Sequence, residues 1–416
     1  MNSGLALGVA DGARPPTLSI AKLQRGMLWL FAFSGGFALI EPSPYEIMFL
    51  VTVFVFLLTG IRLNARLLPL IILLLTFNIG GVFSLIPFMD EPASVRFIAV
   101  SVYLMLTAIL FAALMSDDAA GRLATIASGM IASAWLASAA GVAGYFDIAG
   151  LGSVFTVSGR ASGTFKDPNV FGPYLVLPIV FVIQRILLKR VGLLAGIALI
   201  SLPVLGVFLS FSRGAWGNLV GATLLLFALT FITAPTMAQR GRVVGFSLLI
   251  LGAAVLALMV ALSFAQIREL FELRASLNQS YDMGVQGRFG SQLRSIPLLL
   301  ESPNGVGPLR FRFIFPEDPH NTFVNAFASY GWLGGFSYFA LVVTTMMAGW
   351  TLVFRRSELQ PYAIAIWSVL FITILQGLQI DIDHWRHVYL LLGLVWGLRA
   401  VAPLVEERQA APLTST

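Results

Sequence analysis

The sequence contains no cysteine and only three histidines, and charged residues make up 11% of its 416 residues. The absence of cysteine excludes disulfides, thiolate nucleophiles and cysteine metal sites. Soluble domains carry roughly 25% charged residues, so the shortage of charge argues against a separate soluble domain. The first 20 residues are polar and contain proline, so no cleavable signal peptide is expected.

Apolar segments are what the sequence has in abundance. Hydrophobic residues make up 58% of the chain, and the mean hydropathy is +0.87. Runs of about 20 apolar residues recur, and in lipid such a run must be helical because the bilayer offers no partner for backbone polar groups. We predict an all-α polytopic membrane protein with about twelve transmembrane helices, near residues 22–40, 45–60, 67–87, 96–115, 122–143, 169–188, 191–211, 215–233, 243–264, 322–350, 361–380 and 387–403.

The distribution of lysine and arginine predicts the orientation. Short cytoplasmic loops are enriched in these residues. One set of loops is arginine-rich, as in Arg62 and Arg66, whereas the opposite loops "EPSPYE" and "FMDEPAS" are acidic or nearly so. We expect cytoplasmic tails at 1–21 and 404–416 around a transmembrane domain at 22–403, although the loop "SDDAAGR" argues weakly against this. We attribute the net charge of +6 to membrane orientation and to the binding of anionic substrates, and not to nucleic-acid binding.

This topology leaves three unusual segments on the periplasmic side, at 144–168, 210–216 and 265–321. The last is long and arginine-rich, and long translocated loops escape the positive-inside rule. Within it, "QGRFGSQLRSIPLLL" predicts a short interfacial helix and "SPNGVGP" predicts a turn. The spans themselves hold almost no ionisable residues, which transporters usually carry there. Chemistry or binding at the outer surface is therefore favoured over transport.

Two arginines in these segments are candidate phosphate ligands. Arg213, in "SFSRGAW", precedes a helix start whose free N–H groups favour an anion, and its guanidinium group matches phosphate oxygens. The alternative is snorkelling to the interface. Arg288, in "GRFGSQLR", lies between glycines that permit close backbone approach, with headgroup binding as the alternative. Arg294 falls on a different helix face.

A histidine and two further cations complete the candidates. His320 leads "HNTFVNAF" into a span, and its imidazole is suited to taking a proton from a hydroxyl near neutral pH; the alternative is a hydrogen-bonded interfacial residue. Arg160 and Lys166 precede the span that begins in "KDPN", where Asp167 or Asn169 should cap the helix. We interpret this stretch as a lip that holds an anionic lipid by its phosphates.

Five stretches together resemble a known family. "RASGTFKDPNVFGPYL", "SFSRGAW", "GRFG" with "SPNGVG", "PHNTFVNAFASYGWLGG" and "DHWRH" occur in the order found in the O-antigen ligase and Wzy-type polymerase family. The resemblance runs from about residue 155 to 395. Its most specific part is the His-Asn pair at a span start, followed by Tyr-Gly and Leu-Gly-Gly.

The resemblance implies a GT-C-like glycosyltransferase of the bacterial inner membrane that moves a glycan from undecaprenyl pyrophosphate to an acceptor hydroxyl on the periplasmic face. It implies that Arg213 and Arg288 bind the pyrophosphate, with Arg160 and Lys166 as further cations. It also implies that His320 activates the hydroxyl and that no metal or nucleotide cofactor is used. Direct displacement would invert the anomeric carbon. Supporting roles are expected for Asn321, Asp383 and Arg386.

Several alternatives stay open. A ligase would use lipid A–core as acceptor, whereas a polymerase for O-antigen, capsule or exopolysaccharide would use another lipid-linked repeat unit. A flippase or transporter of lipid-linked sugars would line its central cavity with cations. A cell-wall glycosyltransferase of the shape-and-division type would rely on an outer-loop aspartate, for which Asp282 is the candidate.

Overall fold

The computed structural model describes residues 19–275, 284, 287–316 and 318–410, with side chains up to residue 403. These residues form fifteen α-helices and one two-stranded hairpin. The helices are Ile20–Ser34 (α1), Pro44–Thr59 (α2), Leu68–Leu85 (α3), Pro92–Leu114 (α4), Ala119–Tyr145 (α5), Gly152–Phe155 (α6), Pro168–Leu187 (α7), Leu193–Leu209 (α8), Arg213–Thr233 (α9), Met237–Leu262 (α10), Ala265–Ala275 (α11), Arg288–Leu300 (α12), Thr322–Phe354 (α13), Gln360–Gln376 (α14) and Arg386–Ala410 (α15), and the strands are Thr156–Val157 (β1) and Arg160–Ala161 (β2).

The predicted all-α polytopic architecture is confirmed. Each predicted span falls on one helix. Among the described residues, seven helical segments are long and apolar enough to cross a membrane, and α2, α8 and α14 are shorter apolar helices. The count of twelve spans and the GT-C-like arrangement stay predictions. Several boundaries differ. Helix α1 ends at Ser34 rather than at residue 40, and α14 ends at Gln376, where the N–H of Gly377 closes the last turn on Thr373 and Ile374, rather than at residue 380.

The segment before α7 contains the hairpin, which the sequence analysis did not predict. Strands β1 and β2 pair antiparallel through a two-residue turn at Ser158 and Gly159. Both turn residues have positive φ, 51° and 72°, as a type I′ turn requires. The backbone twist of this turn matches the right-handed twist of the strands that it joins. The cap predicted for α7 is confirmed: Asp167 accepts a hydrogen bond from the Asn169 N–H at 2.8 Å, and Pro168 is the first helical residue.

Helix α13 is broken at Gly331, where φ is 65° and ψ is −169°. The turn predicted in "SPNGVGP" is confirmed, and it supplies the hydrogen bonds that the break removes. The Val306 N–H donates to the Ala328 carbonyl at 2.8 Å, and the Trp332 N–H donates to the Pro303 carbonyl at 2.8 Å. A Cβ at residue 331 would lie 2.5 Å from the Pro303 oxygen. Segment 302–308 is therefore built into the helix packing.

Ion pairs separate the two ends of the helix bundle. At one end Asp117 and Asp118, from the loop that opposed the predicted orientation, pair with Arg122 and Arg25, each at 3.2 Å. They therefore lie with the arginine-rich loops. At the other end, cations from the predicted outer segments pair with the acidic loops, as in Lys166–Glu41 at 3.0 Å, Arg310–Glu91 at 2.6 Å and Arg386–Glu46. We call this second end the acidic-loop end; its periplasmic orientation stays a prediction.

Candidate functional site

A short turn between α14 and α15 organises the polar residues at the acidic-loop end. We call residues 376–381, "QGLQID", the hub turn. Its first residues continue the helix as single turns, with the Gln379 N–H donating to the Gln376 carbonyl at 2.8 Å. The carbonyl groups of Leu378 and Gln379 and the carboxylate of Asp381 can therefore bond to other helices. Helices α9, α12 and α13 all begin against this turn, so the candidate site is built from helix starts.

His320 and Asn321 join the hub turn at the start of α13. Asn321 caps the helix, since its side-chain oxygen accepts from the N–H groups of Phe323 and Val324 at 3.0 and 3.2 Å. Its Nδ2 donates to the Leu378 carbonyl at 3.3 Å. The backbone of His320 has a left-handed φ of 44°, which is uncommon for a residue with a Cβ. The imidazole is thus carried on a constrained turn and is half-buried.

Asp381 holds that turn from the other side. Its Oδ1 accepts a hydrogen bond from the Asn321 N–H at 3.0 Å, and the His320 N–H also bonds to the carboxylate. Burial, together with the nearby charge of Asp383, raises the pKa of Asp381 from its ordinary 3.8 to about 7. Asp381 therefore exchanges a proton near neutral pH while supporting the backbone of His320.

Arg288 reaches the same turn from the start of α12, and the short helix predicted around it is confirmed, while its interfacial position stays a prediction. Its guanidinium donates to the Gln379 carbonyl at 3.1 Å. One turn along α12, Gln292 donates to the Pro319 carbonyl at 2.9 Å and to the His320 carbonyl at 3.5 Å. Residues spaced four apart share one helix face, so Arg288 and Gln292 attach α12 to both the hub turn and the histidine.

Arg213 begins α9 beside the hub turn. Its neighbour Gly214 lies against Gln376, since a Cβ there would be 2.4 Å from Nε2. Gln376 is held by Asn218 of α9, whose Nδ2 donates to its Oε1 at 3.0 Å. Arg160 adjoins this helix start: its Nε donates to the Ser210 carbonyl at 2.8 Å, and its guanidinium also donates to Asn169 at 2.8 Å. Two predicted cations therefore lie around one helix N-terminus, the location that favours an anion.

Lys166 and Arg386 lie elsewhere at this end, in the wall of a cavity of about 840 Å³. Both are ion-paired with acidic side chains, Glu41 and Glu46 respectively. Asp383, buried in the same wall, accepts from Asn325 Nδ2 at 3.0 Å. Asp318 and Asp381 also line the cavity, so it adjoins the His320 turn.

His384 is held between two acceptor groups in this wall. Its Nδ1 lies 3.0 Å from Asp383 Oδ2, and its Nε2 lies 3.0 Å from the Phe97 carbonyl oxygen. Both neighbours are acceptors, so both ring nitrogens must donate. Burial, the largest single effect, lowers the pKa of His384, but the charge and hydrogen bond of Asp383, the Phe97 carbonyl and the charge of Asp381 together raise it, so the net pKa lies above the ordinary 6.5.

The structure thus places four predicted residues at the hub turn: Arg213, Arg288, His320 and Asn321. Arg160 lies beside the start of α9, where it bonds to the Ser210 carbonyl. Three others line the adjoining cavity instead: Lys166, Asp383 and Arg386. Sequence reasoning missed Gln376, Gln379 and Asp381. The polar run "QGLQIDID" was a signal for them, but extending the span to residue 380 concealed it. Asp282 lies outside the described residues. Among the described residues, no group of three or more His, Asp or Glu side chains is arranged to hold a metal ion.

The fold and this polar end define a multi-pass membrane protein with a candidate site on one face of its helix bundle. Residues 196–339 match the family model described as O-antigen ligase, which confirms the resemblance over that region. The matched region runs from α8 into α13 and contains Arg213, Arg288, His320 and Asn321. The match indicates a role in O-antigen or related polysaccharide biosynthesis, with glycosyltransferase-type activity. No curated protein matches the sequence significantly.

Proposed function

We propose that this protein is a metal-independent, inverting glycosyltransferase of the inner membrane. It transfers a glycan from undecaprenyl pyrophosphate to an acceptor hydroxyl at the periplasmic face, as an O-antigen ligase or as an O-antigen or exopolysaccharide polymerase. The observation that carries the proposal is the meeting of three helix starts at the hub turn. Two of them bear Arg213 and Arg288, and the third bears His320.

In the proposed reaction, the arginines stabilise the charge that develops on the departing diphosphate. In this proposal the guanidinium groups of Arg213 and Arg288 and the N–H groups of the helix starts face the diphosphate, so little reorganisation is needed during the reaction. His320 takes the proton of the acceptor hydroxyl as the oxygen attacks the anomeric carbon. The bond from that carbon to the diphosphate oxygen breaks, and the configuration inverts. Asp381 and Asn321 position the histidine through its backbone.

The flippase alternative predicts cations along the middle of the bundle. Arg122 is the only buried lysine or arginine among residues with described side chains. It pairs with Asp117 and donates to the Leu114 carbonyl, at the end opposite the hub turn. The arginines of the candidate site lie instead at helix starts around the hub turn, and their collection at one end of the bundle supports the enzyme over the flippase.

The proposal is tested by deleting the gene, complementing with wild type or variants, and separating surface glycans on a gel. Loss of all long chains from lipid A–core indicates a ligase, and single-repeat products indicate a polymerase. An unchanged glycan profile contradicts both. With purified protein in nanodiscs, His320→Ala should lower transfer about 10²–10⁴-fold, the usual contribution of a general base. Full transfer by folded His320→Ala would refute the base role.

A further inference from the structure

The cavity beside the hub turn differs in chemistry from the group formed by Arg160, Arg213 and Arg288. Six carboxyl-bearing side chains line it, against four lysine or arginine side chains. Three of those four cations already pair with carboxylates of the same wall: Lys166 with Glu41, Arg312 with Asp318, and Arg386 with Glu46. The wall therefore offers little positive charge that is not already paired, and little to attract a diphosphate. The lining suits a ligand without negative charge that donates hydrogen bonds to carboxylates.

Two buried polar atoms in the wall identify positions for such hydrogen bonds. Tyr103 from α4 and His387 from α15 both line the cavity. The Tyr103 hydroxyl and His387 Nε2 have no hydrogen-bond partner among the described residues, and His387 is only 6% exposed. Buried polar atoms are normally paired. A tyrosine hydroxyl both donates and accepts, as does a sugar hydroxyl, so a polyhydroxylated ligand matches the hydrogen-bonding chemistry of these two atoms.

Aromatic rings complete the wall. Phe97 packs on His384 with ring centroids 4.0 Å apart, and Trp385 packs on His387 at 5.2 Å. All four residues line the cavity. Rings of this kind offer flat apolar faces for the C–H face of a sugar, while the carboxylates bind its hydroxyls. A volume of about 840 Å³ is within the usual range of roughly 300–1,000 Å³ for small-ligand pockets.

We propose that this cavity binds the terminal sugar of the acceptor glycan, an uncharged or amino sugar, through Tyr103, His387 and Asp381. The inference rests on the proposed function and adds the acceptor's location and class. Asp381 belongs to both regions, since it lines the cavity and bonds to the backbone of His320 and Asn321. Asp381 therefore connects an acceptor sugar in the cavity with the turn that carries the histidine, and in this proposal the donor's diphosphate stays with the arginines.

The test measures donor and acceptor dependence separately for full-length protein in nanodiscs. Tyr103→Phe removes one hydroxyl and His387→Gln changes one ring, whereas Tyr362→Phe, outside the cavity, is the matched control. Each cavity variant should raise the acceptor KM about 3- to 10-fold, as expected for one lost hydrogen bond, with an unchanged donor KM. A rise in the donor KM instead, or unchanged KM values for both substrates in folded variants, would overturn the proposal.

A binding measurement keeps this inference distinct from the proposed function. The probes are delipidated lipid A–core oligosaccharide, the dephosphorylated repeat-unit oligosaccharide, undecaprenyl phosphate and inorganic pyrophosphate. One of the two oligosaccharides should bind wild type and bind Tyr103→Phe about 3- to 10-fold more weakly. That result supports the cavity site even if no transfer occurs, in which case only the proposed function fails. Undecaprenyl phosphate or pyrophosphate binding that depends on Tyr103 would assign the cavity to the donor and refute the inference.

Discussion

The hub turn and the neighbouring cavity lie at the same end of the bundle, yet they use their cations differently. Arg160 and Arg288 hydrogen-bond to the carbonyl oxygens of Ser210 and Gln379. Lys166 and Arg386 instead pair with carboxylates. The carbonyl contacts orient Arg160 and Arg288 at the helix starts around the hub turn, whereas the carboxylate contacts attach Lys166 and Arg386 to the cavity wall. The comparison teaches that cations at one membrane face can belong to separate sites with different surroundings.

Substitution of Arg288 should show this difference most strongly. Arg288→Ala is expected to lower transfer about 10²–10³-fold, because a charged donor aimed at the diphosphate is lost. Arg294→Ala is the matched control on the same helix, since Arg294 is exposed and lies over the Phe315 ring. Transfer by nanodisc-reconstituted protein measures both. Equal losses in the two variants would mean that α12 contributes only general positive charge.

Gly331→Ala should destabilise α13, the helix whose start carries His320 and Asn321. Positive φ and the close Pro303 oxygen make a side chain there costly, by about 1–3 kcal/mol for the strained backbone alone. We expect a lower unfolding temperature in detergent and reduced transfer, because segment 302–308 leads on to His320. Gly217→Ala is the control, since a Cβ there meets nothing within 4 Å. A Gly331→Ala protein as stable as the Gly217→Ala protein would contradict the described break in α13.

Asp381 joins the two regions, and its titration gives a smaller, pH-dependent effect. Its folded pKa of about 7 lies above its ordinary 3.8, so between about pH 4 and 7 the folded state binds a proton that the unfolded state has released. Stability must therefore fall as pH rises through this window. Asp381→Asn should flatten that fall, measured as the difference in unfolding temperature between pH 5 and pH 7.5. An identical difference in wild type and Asp381→Asn would exclude this linkage.

The smallest effect is expected from Lys166. Its pair with Glu41 is about half exposed on both sides, and exposed ion pairs contribute about 0–1 kcal/mol. Lys166→Ala should change the unfolding temperature little and transfer less than about 5-fold. Arg160→Ala, measured in parallel, should cost more, because Arg160 is fixed to the turn before Arg213. A larger loss for Lys166→Ala than for Arg160→Ala would reverse the proposed division between the two regions.

The sequence was sufficient for the features that depend on local chemistry. Apolar runs located the helices, Asp167 and Pro168 marked the start of α7, and "SPNGVGP" marked a turn. The hub turn could not be predicted in the same way, because its importance comes from partners distant in sequence. Gln379 and Arg288 are 91 residues apart, and Asp381 and Asn321 are 60 apart. No local pattern encodes that meeting, and the cavity likewise exists only once α4 and α15 are packed together.

The break in α13 also limits how the substrates reach the site. If segment 302–308 swung away as a lid, the Ala328 carbonyl and the Trp332 N–H would lose their partners inside the helix bundle. A buried backbone group left without a hydrogen-bond partner costs about 1–3 kcal/mol. The segment is thus a fixed wall, anchored further by the Arg310–Glu91 pair. If the proposed function holds, the substrates must reach the hub turn past this wall as it stands, because moving it would undo the break in α13.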